Sequence, residues 1–260
     1  MRKYNTISAT FMALSLIMIT GSLATYSCRS SRTAKTPAIP DTLITNWEEK
    51  GAGLVFYFEK GESFNHPLMA LWVEDTAGNY LQTLYVAESI AKGIYGHGDK
   101  STGKWLPGPI RRPATLPVWA HSRGVREDDG YYIPTVNTAL PDAMTGATPP
   151  GDFVIMSHLS QNIPPVFDIY FEINQSWDWN EYWTNNKYPD DEDYKTSCQP
   201  ALVYKARIGK SGYENPVELS LIGHSHYSGK DGDIYTDLST ITTAKDITRK
   251  AWVKLELNVQ

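Results

Sequence analysis

The chain has only two cysteines in 260 residues, Cys28 and Cys198, so no disulfide framework organises its fold. No Cys-X-X-Cys pair and no spaced His/Cys set supplies the ligands of a zinc site. No glycine-rich phosphate loop or dinucleotide-binding fingerprint is present, which removes the common nucleotide-binding classes. Basic residues number 24 against 29 acidic ones. That balance argues against a nucleic-acid partner, which would require a basic face. No apolar run is long enough to span a bilayer as a stable helix. A fixed-period repeat is also lacking, so a solenoid is excluded.

What is present begins with an export signal. Arg2 and Lys3 precede an apolar run from about Phe11 to Ile19, and small residues follow through Ser27. Cys28 stands where a lipoprotein signal places its acylated cysteine; cleavage after Ala24 without lipid is the competing reading. Removing residues 1–27 leaves 22 basic residues against 29 acidic ones, a net charge of −7. Residues 28–42 combine Arg29, Arg32 and Lys35 with serines, threonines, Pro37 and Pro40, and read as a flexible tether. The expected location is the periplasmic face of the cell envelope, with the membrane held through the lipid. An acylated Cys28 leaves Cys198 unpaired, whereas a Cys28–Cys198 bridge belongs only to a non-lipidated form.

Residues 43–260 read as one domain. Short strand-like runs recur at Leu54–Glu59, Leu68–Asp75, Tyr80–Val86, Phe153–Ser157, Val166–Ile173, Ala201–Ile208, Val217–Ile222 and Trp252–Leu257. Thr76-Ala77-Gly78-Asn79 supplies hairpin turn chemistry between the second and third. Between Val166 and Ile173, Phe167, Ile169, Phe171 and Ile173 alternate with Asp168, Tyr170 and Glu172, so one face looks inward. This pattern predicts an all-β, antiparallel β-sandwich of immunoglobulin-like type with a long irregular insertion at about 88–150. Helical stretches are expected only at Ala87–Tyr95 and Leu116–Arg123.

Several chemistries fail on inspection. His224 and His226 point the same way in a strand but lack a third ligand, and read as a surface pair in a hairpin. Gly223-His224-Ser225-His226-Tyr227 departs from a nucleophile elbow at its fifth residue, and no doubly wound pattern surrounds it. Carboxylate pairs such as Glu74 with Asp75, or Asp178 with Glu181, are not singled out as a glycosidase pair. Asp190-Asp191-Glu192-Asp193 lacks the ligand spacing of a calcium loop and reads as a solvated turn. No catalytic residue is named, and the expected role is non-enzymatic.

Two long connections carry the remaining signal. The first, in the insertion, contains Trp105, Arg111, Arg112, Trp119, Tyr131 and Tyr132, and ends in Asp142-Ala143-Met144-Thr145-Gly146-Ala147-Thr148-Pro149. Its Thr-Gly-Ala-Thr core resembles the acceptor motif that extracytosolic flavin transferases modify, joining FMN through its phosphate to the last threonine hydroxyl. Gly146 and Ala147 put no bulk beside that hydroxyl, and Gly146 has access to positive φ. The plain alternative is a turn into the next strand through Pro149, Pro150 and Gly151. The second connection, from Asn174 to Pro200, holds Trp177, Trp179, Tyr182 and Trp183 among polar neighbours, a composition enriched at recognition surfaces. An extended chain aligns Trp177, Trp179 and Glu181; a helix aligns Trp179, Tyr182 and Trp183. The cluster suits sugar stacking, a flavin, a protein partner, or a plug for one end of the sandwich.

Taken together, Leu71-Trp72-Val73-Glu74-Asp75 with Gly78, Leu116-Pro117-Val118-Trp119 and the Asp142–Pro149 stretch resemble a bacterial secreted family, domain of unknown function 2271. The run from Phe171 to Trp183 is similar to the branch found in gut Bacteroidota. The resemblance implies extracytosolic redox chemistry, since the family is associated with flavin transferases and membrane-bound electron-transfer proteins. The Thr-Gly-Ala-Thr match itself gives Thr148, Gly146, Ala147, Thr145 and Asp142 as the candidate residues toward a covalent FMN. Aromatic composition gives Trp177, Trp179, Tyr182, Trp183 and Trp119 as a candidate ligand or partner surface. The expected role is accessory to flavin-based electron transfer, with FMN on Thr148 or on a docked partner. The alternatives are a glycan- or peptide-binding module and a purely structural envelope protein.

Overall fold

The computed structural model describes residues 40–99 and 101–256. The signal, Cys28 and the tether through residue 39 lie outside the described residues. Strands in the first part are β1 (Asp41–Thr45), β2 (Gly53–Lys60), β3 (Leu68–Glu74), β4 (Tyr80–Ala87), β5 (Ile94–Asp99) and β6 (Leu106–Pro109). The second part adds β7 (Thr145–Gly146), β8 (Phe153–His158), β9 (Phe167–Asn174), β10 (Leu202–Ile208), β11 (Val217–Glu218), β12 (Ser220–His224) and β13 (Thr248–Glu256). Two short helices, α1 (Glu88–Lys92) and α2 (Pro117–Ser122), fall where helical stretches were expected. Gly93, at φ 63°, ends α1 in the left-handed conformation that glycine adopts without strain. Pro117 opens α2, where its missing N–H costs nothing.

Two sheets form an all-β sandwich. One has the order β1-β8-β2-β13-β11, the other β12-β10-β9-β3-β4-β7. Most neighbours are antiparallel; β1 with β8 and β4 with β7 are parallel. The hairpin of β3 and β4 turns through Gly78 at φ 87°. The Asp75 carboxylate ties that turn by accepting from the Ala77 and Asn79 amides at 2.8 and 2.9 Å. The Val217–Ile222 run, expected as one strand, divides at Leu219. Its first half pairs with β13 in one sheet and its second half with β10 in the other. Buried Leu219 closes the corner and donates its amide to Ala251 O at 2.9 Å. The domain also starts earlier than expected, because β1 already takes in Asp41 and Thr42.

The inner faces meet in a phenylalanine-rich core. Phe56 lies 5.0 Å from Phe171 across the sheets, and Phe58 stacks on Phe153 at 4.7 Å. Each is fully buried, which stabilises the fold by about 1.5–3 kcal/mol per ring. The six-stranded sheet is covered on its other face too. Trp72, Val86, Tyr170 and Val203 pack there against Ile90, Leu116, Val118, Trp119 and Ile133 of the insertion.

That second layer corrects the expectation for β9, whose eight residues are all buried. Its polar side chains face the insertion and neighbouring strands, not water, and each has a partner. Asp168 pairs with Arg207 at 2.7 Å and Lys205 at 2.9 Å. Glu172 accepts from the Val118 and Trp119 amides at 3.2 and 2.8 Å, which docks α2 on the sheet. Asn174 donates to Ser197 Oγ at 2.7 Å. Burial pushes the Glu172 carboxyl up to about 8, although the two amides pull it back down.

Candidate functional site

The Thr-Gly-Ala-Thr stretch lies at a sheet edge. Asp142–Met144 form one 3-10 turn, after which Thr145 and Gly146 pair as β7 with Val86 and Ala87 of β4. Gly146 is extended there, so the expected positive φ is not used. A Cβ added at Gly146 would meet Tyr85 Cε2 at 3.5 Å and Leu43 Cδ2 at 3.6 Å, which is ordinary contact. Ala147 is exposed, Thr148 half-buried and Pro149 buried, so the chain dips back toward the body just after the threonine.

Two residues not singled out from the sequence hold this stretch. The fully buried Tyr85 donates its phenolic hydrogen to Gly146 O at 3.1 Å. The Thr148 hydroxyl hydrogen-bonds to the same phenol. Burial drives the Tyr85 phenol well above its ordinary range, so it stays protonated. On the solvent side, Lys92 of α1 bridges Asp142 at 3.0 Å and Glu88 at 2.7 Å. The two carboxylates raise the lysine further. The only sequence signals for these roles were a tyrosine in a core strand and an i, i+4 Glu-Lys pair.

Most of the aromatic and arginine side chains named in the insertion are engaged with partners of their own. Trp119 is fully buried and donates its indole N–H to Thr83 Oγ1 at 3.0 Å, so it is core and not a partner surface. Arg111 is tied to Asp129 at 2.6 Å, and Arg112 sits over the Tyr95 ring at 4.5 Å. Tyr131 donates to Asp193 at 3.0 Å, and Tyr132 stacks on His121 at 4.1 Å. Trp105 is exposed beside β6.

The Trp177–Trp183 part of the second connection adopts neither the extended nor the helical form. Trp177 takes a left-handed φ of 67°, which costs a bulky side chain about 1–2 kcal/mol. The Trp179 amide then reaches back to Trp177 O at 3.1 Å. This turn brings the two indoles edge to face at 5.8 Å and 89°. Trp177 is 56 % exposed, Trp179 48 % and Tyr182 45 %, whereas Trp183 is 7 % exposed. Trp183 therefore leaves the proposed surface, packing inward with its N–H on Thr240 Oγ1 at 3.1 Å.

A polar lattice beneath keeps the exposed pair in place. Asn180 donates to Gln199 Oε1, Thr240 O and Thr242 Oγ1 at 3.1, 2.9 and 2.9 Å. Its carbonyl accepts the Tyr182 and Trp183 amides at 2.8 and 2.7 Å. Asp178, its carboxyl raised by burial, accepts from Thr243 Oγ1 at 2.5 Å. The Trp179 side chain hydrogen-bonds to Cys198, whose thiol is pushed up to about 11 by burial. That cysteine is fully buried, left-handed at φ 68° and chemically quiet.

Register brings the two connections to one end of the molecule. Thr145, Val86, Ala70 and Glu172 form a single row across β7, β4, β3 and β9. Strands β4, β7 and β9 run the same way, so the chain leaves the sheet at this end after Gly146 and after Asn174. The link from β2 to β3 lies at the same end. Lys60 N donates to Asp152 Oδ1 at 2.9 Å, and Asn65 N to Gln175 Oε1 at 2.7 Å.

The histidine pair is buried, contrary to expectation: His224 and His226 are 9 % and 7 % exposed. His224 stacks on Tyr235 at 5.6 Å, and His226 accepts from the Ser228 amide at 3.2 Å. Burial lowers His226 below the usual imidazole value. Among the described residues no three His, Cys, Asp or Glu side chains group as metal ligands. The acidic run serves as an anchor, with Asp191 accepting the Asp193 and Tyr194 amides at 3.1 Å each.

Compared with family models, with curated proteins and with solved structures, the chain matches none.

Proposed function

We propose that the chain is an accessory of extracytosolic flavin-based electron transfer that carries FMN on Thr148. The observation behind this reading is the position of the Asp142–Thr148 stretch. It hangs from the outermost strand of the six-stranded sheet, with Ala147 exposed and Thr148 half-buried. A transferase can approach such an edge without opening the core. On modification the threonine oxygen bonds to the flavin-side phosphorus of a flavin dinucleotide donor, the pyrophosphate bond breaks, and the nucleoside monophosphate leaves with the threonine proton. Bound FMN supplies the electron carrier, while the protein supplies position and surroundings.

In this reading the mature chain is held at the periplasmic face of the envelope by a lipid on Cys28. The partners are a flavin transferase and a membrane redox protein. Co-expression with an extracytosolic flavin transferase tests it by intact mass and by fluorescence in a denaturing gel. Wild type gains the mass of FMN less one water, and Thr148→Ala does not. An unmodified wild type points instead to a chain that docks a flavinylated partner.

A further inference from the structure

We propose that Trp177 and Trp179 form a stacking site for the rings of a neutral, soluble sugar chain, a binding function independent of Thr148. The pair sits on the β10 side of the molecule. Asp178 bridges to Cys198 and accepts from the Thr243 hydroxyl, while Asn180 donates to Gln199, Thr240 and Thr242. The Trp179 side chain is itself tied to Cys198. Both indoles are therefore carried on a fixed piece of backbone.

The fold does not require indoles at these positions. Trp177 is left-handed at φ 67°, where glycine or asparagine would make the same turn with less strain. Plugging the end of the sandwich falls to Trp183, which is buried, whereas Trp177 and Trp179 leave about half their surface in water. Strain that persists only because a polar lattice fixes it, spent on presenting large aromatic rings to solvent, points to recognition. Rings already held in place lose little freedom on binding, so stacking keeps most of its energy.

Size, shape and charge select the ligand. Two half-exposed indoles offer on the order of 250 Å² of surface. A stable protein interface needs about 800 Å² a side. The smaller area suits a pyranose ring, which has an apolar face of C–H bonds edged by hydroxyls. The indoles lie 5.8 Å apart at 89°, so they cannot both rest on a flat polymer surface. They fit a chain end or a bend in a soluble chain. From Asn174 to Pro200 the sequence holds six acids and two lysines, which disfavours anionic sugars and phosphate-bearing ligands. Ser176 and Glu181 flank the pair in the chain, and their side chains enter no hydrogen bond or ion pair among the described residues. They are available to sugar hydroxyls.

The test titrates the full chain, expressed without a flavin transferase, with neutral hexasaccharides of glucose, xylose, mannose and galactose, read by calorimetry and tryptophan fluorescence. Wild type should bind at least one of them at millimolar sugar. Trp177→Asn, which tolerates the left-handed turn, and Trp179→Ala should each weaken binding about two- to tenfold, the worth of one aromatic contact. Urea unfolding checks that each variant is folded. Trp47→Ala, at an exposed tryptophan beyond β1, should bind as wild type does. Wild type that binds none of the four, or binding indifferent to both substitutions, overturns the site. Binding of decaproline that is lost in Trp177→Asn, with the sugars inert, overturns it in favour of a peptide. Preference for crystalline cellulose over the soluble chains overturns the corner geometry. Each outcome is read on protein without flavin, so failure here leaves the attachment at Thr148 standing.

Discussion

The two sheets share one core yet have different outer faces. On the six-stranded sheet the insertion packs over the outer face of the central strands, and β9 is buried from end to end. On the five-stranded sheet Ile44, Met156, Lys250 and Lys254 keep contact with water, and Trp252 rests on Tyr57 at 5.2 Å. Both kinds of strand alternate polar and apolar residues. The difference is that a covered polar group must find a partner, whereas a wet one need not. Glu172 is the sharpest case, a carboxyl without water whose two oxygens are met by the first turn of α2.

Substitutions can break or sharpen this contrast. Phe171→Ala removes an inner-face ring that both sheets touch and should cost about 3–5 kcal/mol in urea unfolding. Next comes Glu172→Ala, which orphans buried amides and should cost about 1–3 kcal/mol. The buried Trp119 fluorescence should report the loosened cover.

Glu172 also predicts a pH dependence confined to the covered sheet. The unfolded chain releases this proton near 4.5, while the folded chain holds it to about 8. Between those values the folded state binds more protons, so this contribution weakens as pH rises through the window. Glu172→Gln should flatten that part of the stability profile, measured as the difference from wild type. Trp252→Ala on the wet sheet should cost about 1 kcal/mol for one stacked pair. Lys254→Ala should stay within about 0.5 kcal/mol.

Strands with strong period-two patterns were readable from the residues alone. β2, β3, β4, β8, β9 and β10 lie within a residue or two of their expected bounds. β1, β5, β6 and β7 were missed, because short edge pieces rich in glycine, proline or threonine carry little periodicity. The covering of β9 could not be read locally either. Its cause is the packing of α2, more than 40 residues earlier in the chain. Aromatic composition drew attention to the second connection, but only a left-handed Trp177 and the lattice under Asn180 separate exposed Trp179 from buried Trp183. At the Thr-Gly-Ala-Thr stretch the residue types were evident, whereas the Tyr85 phenol behind Thr148 came only with the fold.

The most direct test of the central claim is peptide mapping of the co-expressed protein, locating the modified hydroxyl within residues 142–151. The account predicts flavin phosphate on Thr148 and an untouched Thr145, whose backbone is engaged in β7. Flavin found on Thr145, or on any residue away from this edge, would contradict it.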